Sequence, residues 1–243
     1  MSRPRPDQQR LGLIGYGAFG RLAAQGLSPH FEIVASDPAG GDATATLAEA
    51  AACPIVVLAV PVHVVAQTVA AIAPLVRPGA LVLDVGSVKV APTKAMDAGL
   101  PSGVEVVGLH PLFGPQSAKN GIAGLRLAVC PVRGPRAACR VAAWCRSRLG
   151  LKVFLVSAED HDREAAVTQG LTHLIARLLL AMEPMPTRLT TASFDRIMEA
   201  VEMVRHDSPA VYHAIERANP FAADVRDRFF ALADQARAEI DKG

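Results

Sequence analysis

From Arg10 to about Leu155 the chain alternates short apolar runs with stretches of helical spacing. This alternation constrains the fold more than any other feature. The apolar runs predict strands over 11–15, 32–36, 55–60, 81–85, 104–108, 127–130 and 152–155. Between them, 18–27, 44–51, 62–75, 90–98 and 135–149 read as helices. Such a pattern predicts an α/β domain with a doubly wound, mainly parallel sheet and helices on both faces. Several runs are apolar without interruption, as strands covered on both sides must be.

The pattern changes near Ser157. Ser157 with Asp160 three residues later is a helix-start signal. No strand signal follows. The stretch 164–183 reads as one long helix with Val167, Leu171, Leu174, Ile175, Leu178 and Met182 on an apolar face. Pro184 and Pro186 close it. Stretches 193–206, 209–218 and 220–242 read as further helices. The expected organisation is a flexible tail over 1–10, an α/β domain over 11–156 and a small all-helical domain over 157–243. So few helical residues make a poor independent core, which predicts docking on the first domain or on a second subunit.

The glycine cluster Gly15-Tyr16-Gly17-Ala18-Phe19-Gly20 follows the first strand and opens the first helix. That is the context in which G-x-G-x-x-G binds a dinucleotide. Gly15 permits the tight turn, Gly17 lets a pyrophosphate approach the backbone, and Gly20 lets helix and strand pack closely. The helix N-terminus favours the phosphates. Asp37 ends the second strand, where a carboxylate bonds the ribose 2′-hydroxyl of NAD and repels a 2′-phosphate. A surface turn before Pro38 is the other reading of Asp37. NAD is the expected cofactor, with NADP kept as the alternative. Val60 and Pro61 end the third strand and should border the same ligand, while His63 reads as a loop or cap residue.

Half of the 243 residues are hydrophobic and the net charge is +2 with charges scattered, so no nucleic-acid surface is expected. No apolar run reaches the roughly 18 residues of a membrane helix. The four cysteines, Cys53, Cys130, Cys139 and Cys145, lack metal-site spacing, and three of them, in apolar surroundings, read as buried free thiols of a reducing cytoplasm. No metal is expected.

The reacting groups are sought at strand carboxyl ends. His110 follows the 104–108 strand and precedes the stiff Pro111-Leu112-Phe113-Gly114-Pro115 loop. Histidine is suited to proton transfer near neutral pH. Ser87, in Asp84-Val85-Gly86-Ser87-Val88-Lys89, reads either as a helix N-cap or as a hydroxyl beside the reacting carbon. Lys89 reads as a solvated first-turn lysine. Gln169, His173 and Arg177 recur every four residues and form one polar line on the long helix. That line is either a solvated stripe or a substrate-binding row.

The segments 13–20, 57–61, 84–89, 108–117 and 161–177 together resemble the prephenate/arogenate dehydrogenase family, closest to its plant-like arogenate branch. The resemblance spans about residues 11 to 215. It implies a Rossmann-type NAD(P)-binding domain over 11–156 and a substrate domain over 157–243; the apolar long helix in that small region independently predicts a homodimer built mainly from 157–243. It implies oxidative decarboxylation of arogenate and/or prephenate, with His110 as the catalytic histidine and Ser87 as its hydroxyl partner. A cleft-facing polar cluster on the long helix is also implied. Arg177 would bind the ring carboxylate, with His173 nearby and Arg205 as the second candidate. Gln116 stands where plant-like relatives often carry Glu, and no acid lies between Ser117 and Arg126. The choice between arogenate and prephenate therefore stays open. Two other functions compete. A 3-hydroxyacid-type dehydrogenase relies on a lysine from the helical region, and the only lysine after Lys152 is Lys242. A non-catalytic NAD-binding regulator would need the glycine cluster but not Ser87, His110 and Arg177 together.

Overall fold

The computed structural model describes residues 8–242. Residues 1–7 of the expected tail lie outside the described residues. Arg10, assigned to that tail, is instead the first residue of a strand. The chain divides into two compact units, 1–161 and 162–243.

The first unit is built on one sheet of seven strands: β1 (Arg10–Ile14), β2 (Glu32–Ser36), β3 (Ile55–Leu58), β4 (Leu81–Asp84), β5 (Glu105–Pro111), β6 (Arg126–Arg133) and β7 (Lys152–Leu155). Their order is β2-β1-β3-β4-β5-β6-β7. The first five pair in parallel, and β6 runs antiparallel to β5. The reversal has a simple cause. A parallel return needs a crossover element, and residues 112–125 contain only turns. β7 returns parallel to β6 through helix α5 (Pro135–Leu149).

Helices α1 (Ala18–Leu27), α2 (Leu47–Ala51), α3 (Val65–Ile72) and α4 (Val90–Gly99) complete the layers. Neighbouring strand residues serve opposite cores. Val82 and Val106 join Val69, Ile72 and Met96 on one face. Leu83 and Val107 join Ala24, Ala138, Ala142 and Cys145 on the other. This is why the strands read as unbroken apolar runs. The expected helix 44–51 starts later because Thr46 caps it: the Glu49 N–H donates to Thr46 Oγ1 at 3.2 Å and the Glu49 carboxylate accepts from Thr46 N–H.

The expected long helix starts earlier than 164. The Asp160 N–H donates to Ser157 Oγ at 3.0 Å, and α6 (Ala158–Ala165) begins there. A π-helical turn, Ala166–Gly170, interrupts it before α7 (Leu171–Ala181). In the second unit α8 (Ala192–Val204), α9 (Pro209–His213), a second π turn (Ala214–Ala218) and α10 (Ala222–Ile240) follow. Among the described residues no helix is long and apolar enough to cross a membrane.

Candidate functional site

The strand order reverses direction at β1, which lies between β2 and β3. Open α/β sheets bind ligands outside the strand ends at such a point. The glycine turn sits there. Gly15 has φ +96°, and a Cβ on it would come 2.4 Å from the Ala59 carbonyl at the end of β3 and 3.1 Å from Val60. A Cβ on Gly20 would come 2.3 Å from the Gly15 carbonyl. Gly17 differs: it is exposed, and a Cβ there meets nothing within 4 Å. Gly17 is also the N-cap of α1, whose first turn carries no side-chain cap and no acidic residue. The backbone donors at this end are thus left for an anion. Ala18 is exposed, and Tyr16 and Phe19 are half-buried. These features fit a dinucleotide pyrophosphate.

Asp37 is half-buried at the end of β2. One carboxylate oxygen accepts the Tyr16 N–H at 2.6 Å and the other accepts the Ala39 N–H at 2.8 Å. The carboxylate is therefore fixed beside the glycine turn rather than turned out to solvent. Arg21, which the sequence reading did not single out, lies over the Tyr16 ring and donates to the Tyr16 carbonyl at 2.8 Å. Phe19 meets Phe113 with ring centroids 6.5 Å apart, so the glycine turn touches the loop that follows β5. Val60 is half-buried and Pro61 exposed, and His63 is exposed in a short 3₁₀ turn.

His110 lies inside β5 rather than after it, because the strand runs on to Pro111 through its pairing with β6. β4 ends at Asp84, opposite Gly108. Past that point β5 has the 85–89 loop beside it instead of a strand. Lys89 fills this place, and its reading as a solvated lysine is overturned. It is fully buried, ion-paired with Asp84, and donates to the Leu109 carbonyl at 2.6 Å. Gly108 makes room for it: a Cβ there would lie 3.2 Å from Lys89 Cδ and 2.8 Å from Thr93 Cγ2. Asp84 also accepts the Gly86 N–H at 3.0 Å. Burial pushes the Asp84 carboxyl up, against the pull of the Lys89 ammonium and of the Gly86 and Leu109 backbone. The capping role considered for Ser87 also fails. Helix α4 starts at Val90 with Lys89 at its N-cap position, and Ser87 sits half-buried in the loop two residues earlier.

The His110 ring is buried. Its Nδ1 lies 2.8 Å from Nε2 of His161, which is also buried, on α6. Desolvation holds the His110 pKa well below the ordinary histidine value, and the neighbouring His161 ring and the Lys89 ammonium further disfavour a proton on it. His110 is thus a neutral imidazole at pH 7. His161 was not a named candidate, and no spacing rule links it to a strand residue 51 positions away. Gln116 is exposed in the turns that follow.

In the second unit the polar line does not stay a line. The π turn carries Gln169 and displaces it from regular helical register. His173 is buried, with Nδ1 3.0 Å from the Gln169 carbonyl and Nε2 3.0 Å from Asp207. Arg177 is exposed and lies 4.6 Å over the Tyr212 ring. Among the described residues Arg177 makes no ion pair. Arg205 does: Glu183 grips it with two oxygens, at 2.6 and 3.2 Å, and Glu202 takes its Nε at 2.6 Å. No cluster of metal-ligating side chains occurs among the described residues.

Comparison with known proteins agrees with this order of parts. Residues 33–129 match the model of the prephenate dehydrogenase nucleotide-binding domain, and residues 157–243 match the prephenate dehydrogenase dimerization domain. The chain is similar to 4-amino-4-deoxyprephenate dehydrogenase of Streptomyces pristinaespiralis, 31% identical over 215 residues, covering 84% of this chain and 70% of the relative. It is 28% identical to chloroplastic arogenate dehydrogenase 1 of Arabidopsis thaliana over 165 residues, 66% of this chain. The chain spans only 26% of that plant protein's length. In fold it is similar to Aquifex aeolicus prephenate dehydrogenase, solved with hydroxyphenyl propionate and NAD+, with a TM-score of 0.75, 17% identity, and coverage of 97% of this chain and 92% of that one. Both units carry the family's sequence in the family's order, and the chain belongs to the prephenate/arogenate dehydrogenase family.

Proposed function

We propose that this protein catalyses the NAD-dependent oxidative decarboxylation of arogenate and/or prephenate, giving tyrosine and/or 4-hydroxyphenylpyruvate. The observation that carries the proposal is the buried, neutral His110 at the carboxyl end of β5, in the same unit as a glycine turn fitted for a pyrophosphate. The glycine turn and the α1 N-terminus would hold the phosphates, and Asp37 the adenosine ribose. A bound nicotinamide supplies the hydride acceptor. His110 takes the proton of the ring hydroxyl as its carbon is oxidised, help worth roughly 10²–10⁴ in rate. Carbon dioxide then leaves and the ring becomes aromatic. Ser87, on the loop beside β5, would orient the hydroxyl.

The substrate carboxylates need a cation. Arg177 is the first candidate because its guanidinium is free of ion pairs. Arg205 is the second, and it would have to leave Glu183 and Glu202. Gln116, exposed in the first unit, is a further candidate for a substrate contact, whereas His173 has both ring nitrogens engaged by the Gln169 carbonyl and Asp207 and is set aside. The similarity to 4-amino-4-deoxyprephenate dehydrogenase adds a third substrate, in which an amine replaces the ring hydroxyl. We also propose a homodimer through residues 157–243. The matched dimerization-domain model supports it, as do exposed Leu178, Met182, Leu189, Ile197 and Met203 in this unit. Light scattering at micromolar concentration should show a dimer, and a monomer removes this part.

The test is NADH formation with arogenate, prephenate and 4-amino-4-deoxyprephenate in parallel. Turnover of arogenate or prephenate is expected. Turnover of the amino compound alone transfers the proposal to that substrate. Coenzyme binding with no turnover of any of them favours a regulator.

A further inference from the structure

The buried imidazole pair sets a rule on where protons can sit. His110 Nδ1 and His161 Nε2 are 2.8 Å apart, so a single proton lies between them. Two neutral rings can arrange it in two ways. Either His110 Nδ1–H donates to His161 Nε2, or His161 Nε2–H donates to His110 Nδ1. In the second case His110 carries its own proton on Nε2 and has no lone pair left for a substrate. Only the first leaves His110 Nε2 bare.

We propose that His161 is a positioning residue that accepts the Nδ1 proton of His110 and so holds the Nε2 lone pair ready for the substrate's hydroxyl proton. The inference rests on His110 being the base. The proton balance is complete within the pair. The substrate O–H bond breaks, an Nε2–H bond forms on His110, and the resulting imidazolium keeps donating through Nδ1–H to His161. That hydrogen bond becomes charge-assisted when the proton arrives. Both rings are almost wholly buried, so no water competes for the Nδ1 proton. The ring partner also fixes the plane of His110. Its backbone is fixed separately, by Lys89 holding the preceding carbonyl of Leu109 at 2.6 Å. Side chain and main chain of the base thus have different clamps.

The test combines spectroscopy with kinetics. In ¹⁵N-histidine NMR at pH 7.5, His110 should show a protonated Nδ1 and a bare Nε2. His161→Leu should shift His110 toward the Nε2–H form, which an imidazole prefers when unassisted. His161→Gln, which offers an acceptor oxygen, should restore part of the original form. Kinetically, His161→Leu should lower kcat roughly 10- to 100-fold, the worth of one charge-assisted hydrogen bond, with KM changed much less. His161→Gln should recover part of that loss. A wild-type spectrum with the proton on His110 Nε2 overturns the inference, whether or not any substrate is turned over. So does a His161→Leu enzyme with wild-type kcat while chemistry limits the rate. If no cyclohexadienyl substrate reacts at all, the function assigned above fails, and the spectra alone still decide the tautomer.

Discussion

Replacing Lys89 with Met should be among the most damaging single changes in the first unit. The side chain is fully buried and its ammonium pairs with Asp84, which is equally buried. Met fills a similar volume but removes the charge. The Asp84 carboxylate then stays in the interior with only the Gly86 and Leu109 backbone to stabilise its charge. Breaking a buried ion pair from one side is destabilising by about 3–5 kcal/mol. At about 2–4 °C per kcal/mol for a domain of this size, Tm should fall by about 6–20 °C. The deficit should depend on pH in a stated direction. Burial raises the folded pKa of Asp84 above its unfolded value of about 3.9, and loss of Lys89 raises it further. A raised acid is no burden while it is protonated in both states. The deficit is therefore small near pH 4 and grows as the pH rises through the folded value. Adding Asp84→Asn removes the stranded charge and keeps the acceptor for Gly86, so the double variant should regain at least about 2 kcal/mol over Lys89→Met alone. Thermal unfolding between pH 4.5 and 8 measures all of this. A Lys89→Met protein within about 1 kcal/mol of wild type, or a double variant no better than the single, refutes the reasoning.

Other positions separate binding from folding. Gly17→Ala should keep Tm within a few degrees, because the Cβ enters open space, and should weaken NAD binding at least tenfold by titration; Gly20→Ala should instead lower stability by about 1–3 kcal/mol through its clash with the Gly15 carbonyl. Asp37→Ser should reduce the NAD over NADP preference in kcat/KM at least tenfold, since it removes the repulsive carboxylate and leaves Arg21 near the glycine turn. Arg177→Ala should raise KM roughly 10- to 150-fold with little change in kcat, the worth of a charge-assisted pair; an unchanged KM assigns the carboxylate to Arg205.

The sheet was legible in the sequence because its central strands are covered on both faces and all its strands are short apolar runs bounded by turns. β2 and β7 fall on the expected residues. β5 and β6 outran their apolar runs because pairing carries a strand past its hydrophobic segment. His110 and Pro111 join β5 opposite Ala128 and Leu127. Lys89 was misread for a related reason. A lysine beside a helix start has a solvated default, and only the folded loop puts Asp84 and the Leu109 carbonyl around its ammonium. The glycine turn was legible because Gly15 and Gly20 answer local backbone demands and Gly17 stands at the open start of the helix that follows. The π turn at Ala166–Gly170 carries no sequence signal that periodicity can detect. His161 was invisible as a partner of His110 because their contact is made by topology, not by spacing.

The central claim is that His110 is the base of an NAD-dependent dehydrogenation. The measurement is kcat and KM of His110→Asn with whichever substrate the wild-type protein oxidises, paired with the isotope effect of deuterium on the carbon that loses hydride. Asn retains hydrogen-bonding groups but cannot take the proton. The account predicts a kcat lower by roughly 10²–10⁴, a modest change in KM and a full isotope effect. A near-normal kcat, with the isotope effect showing that hydride transfer limits the rate, contradicts it.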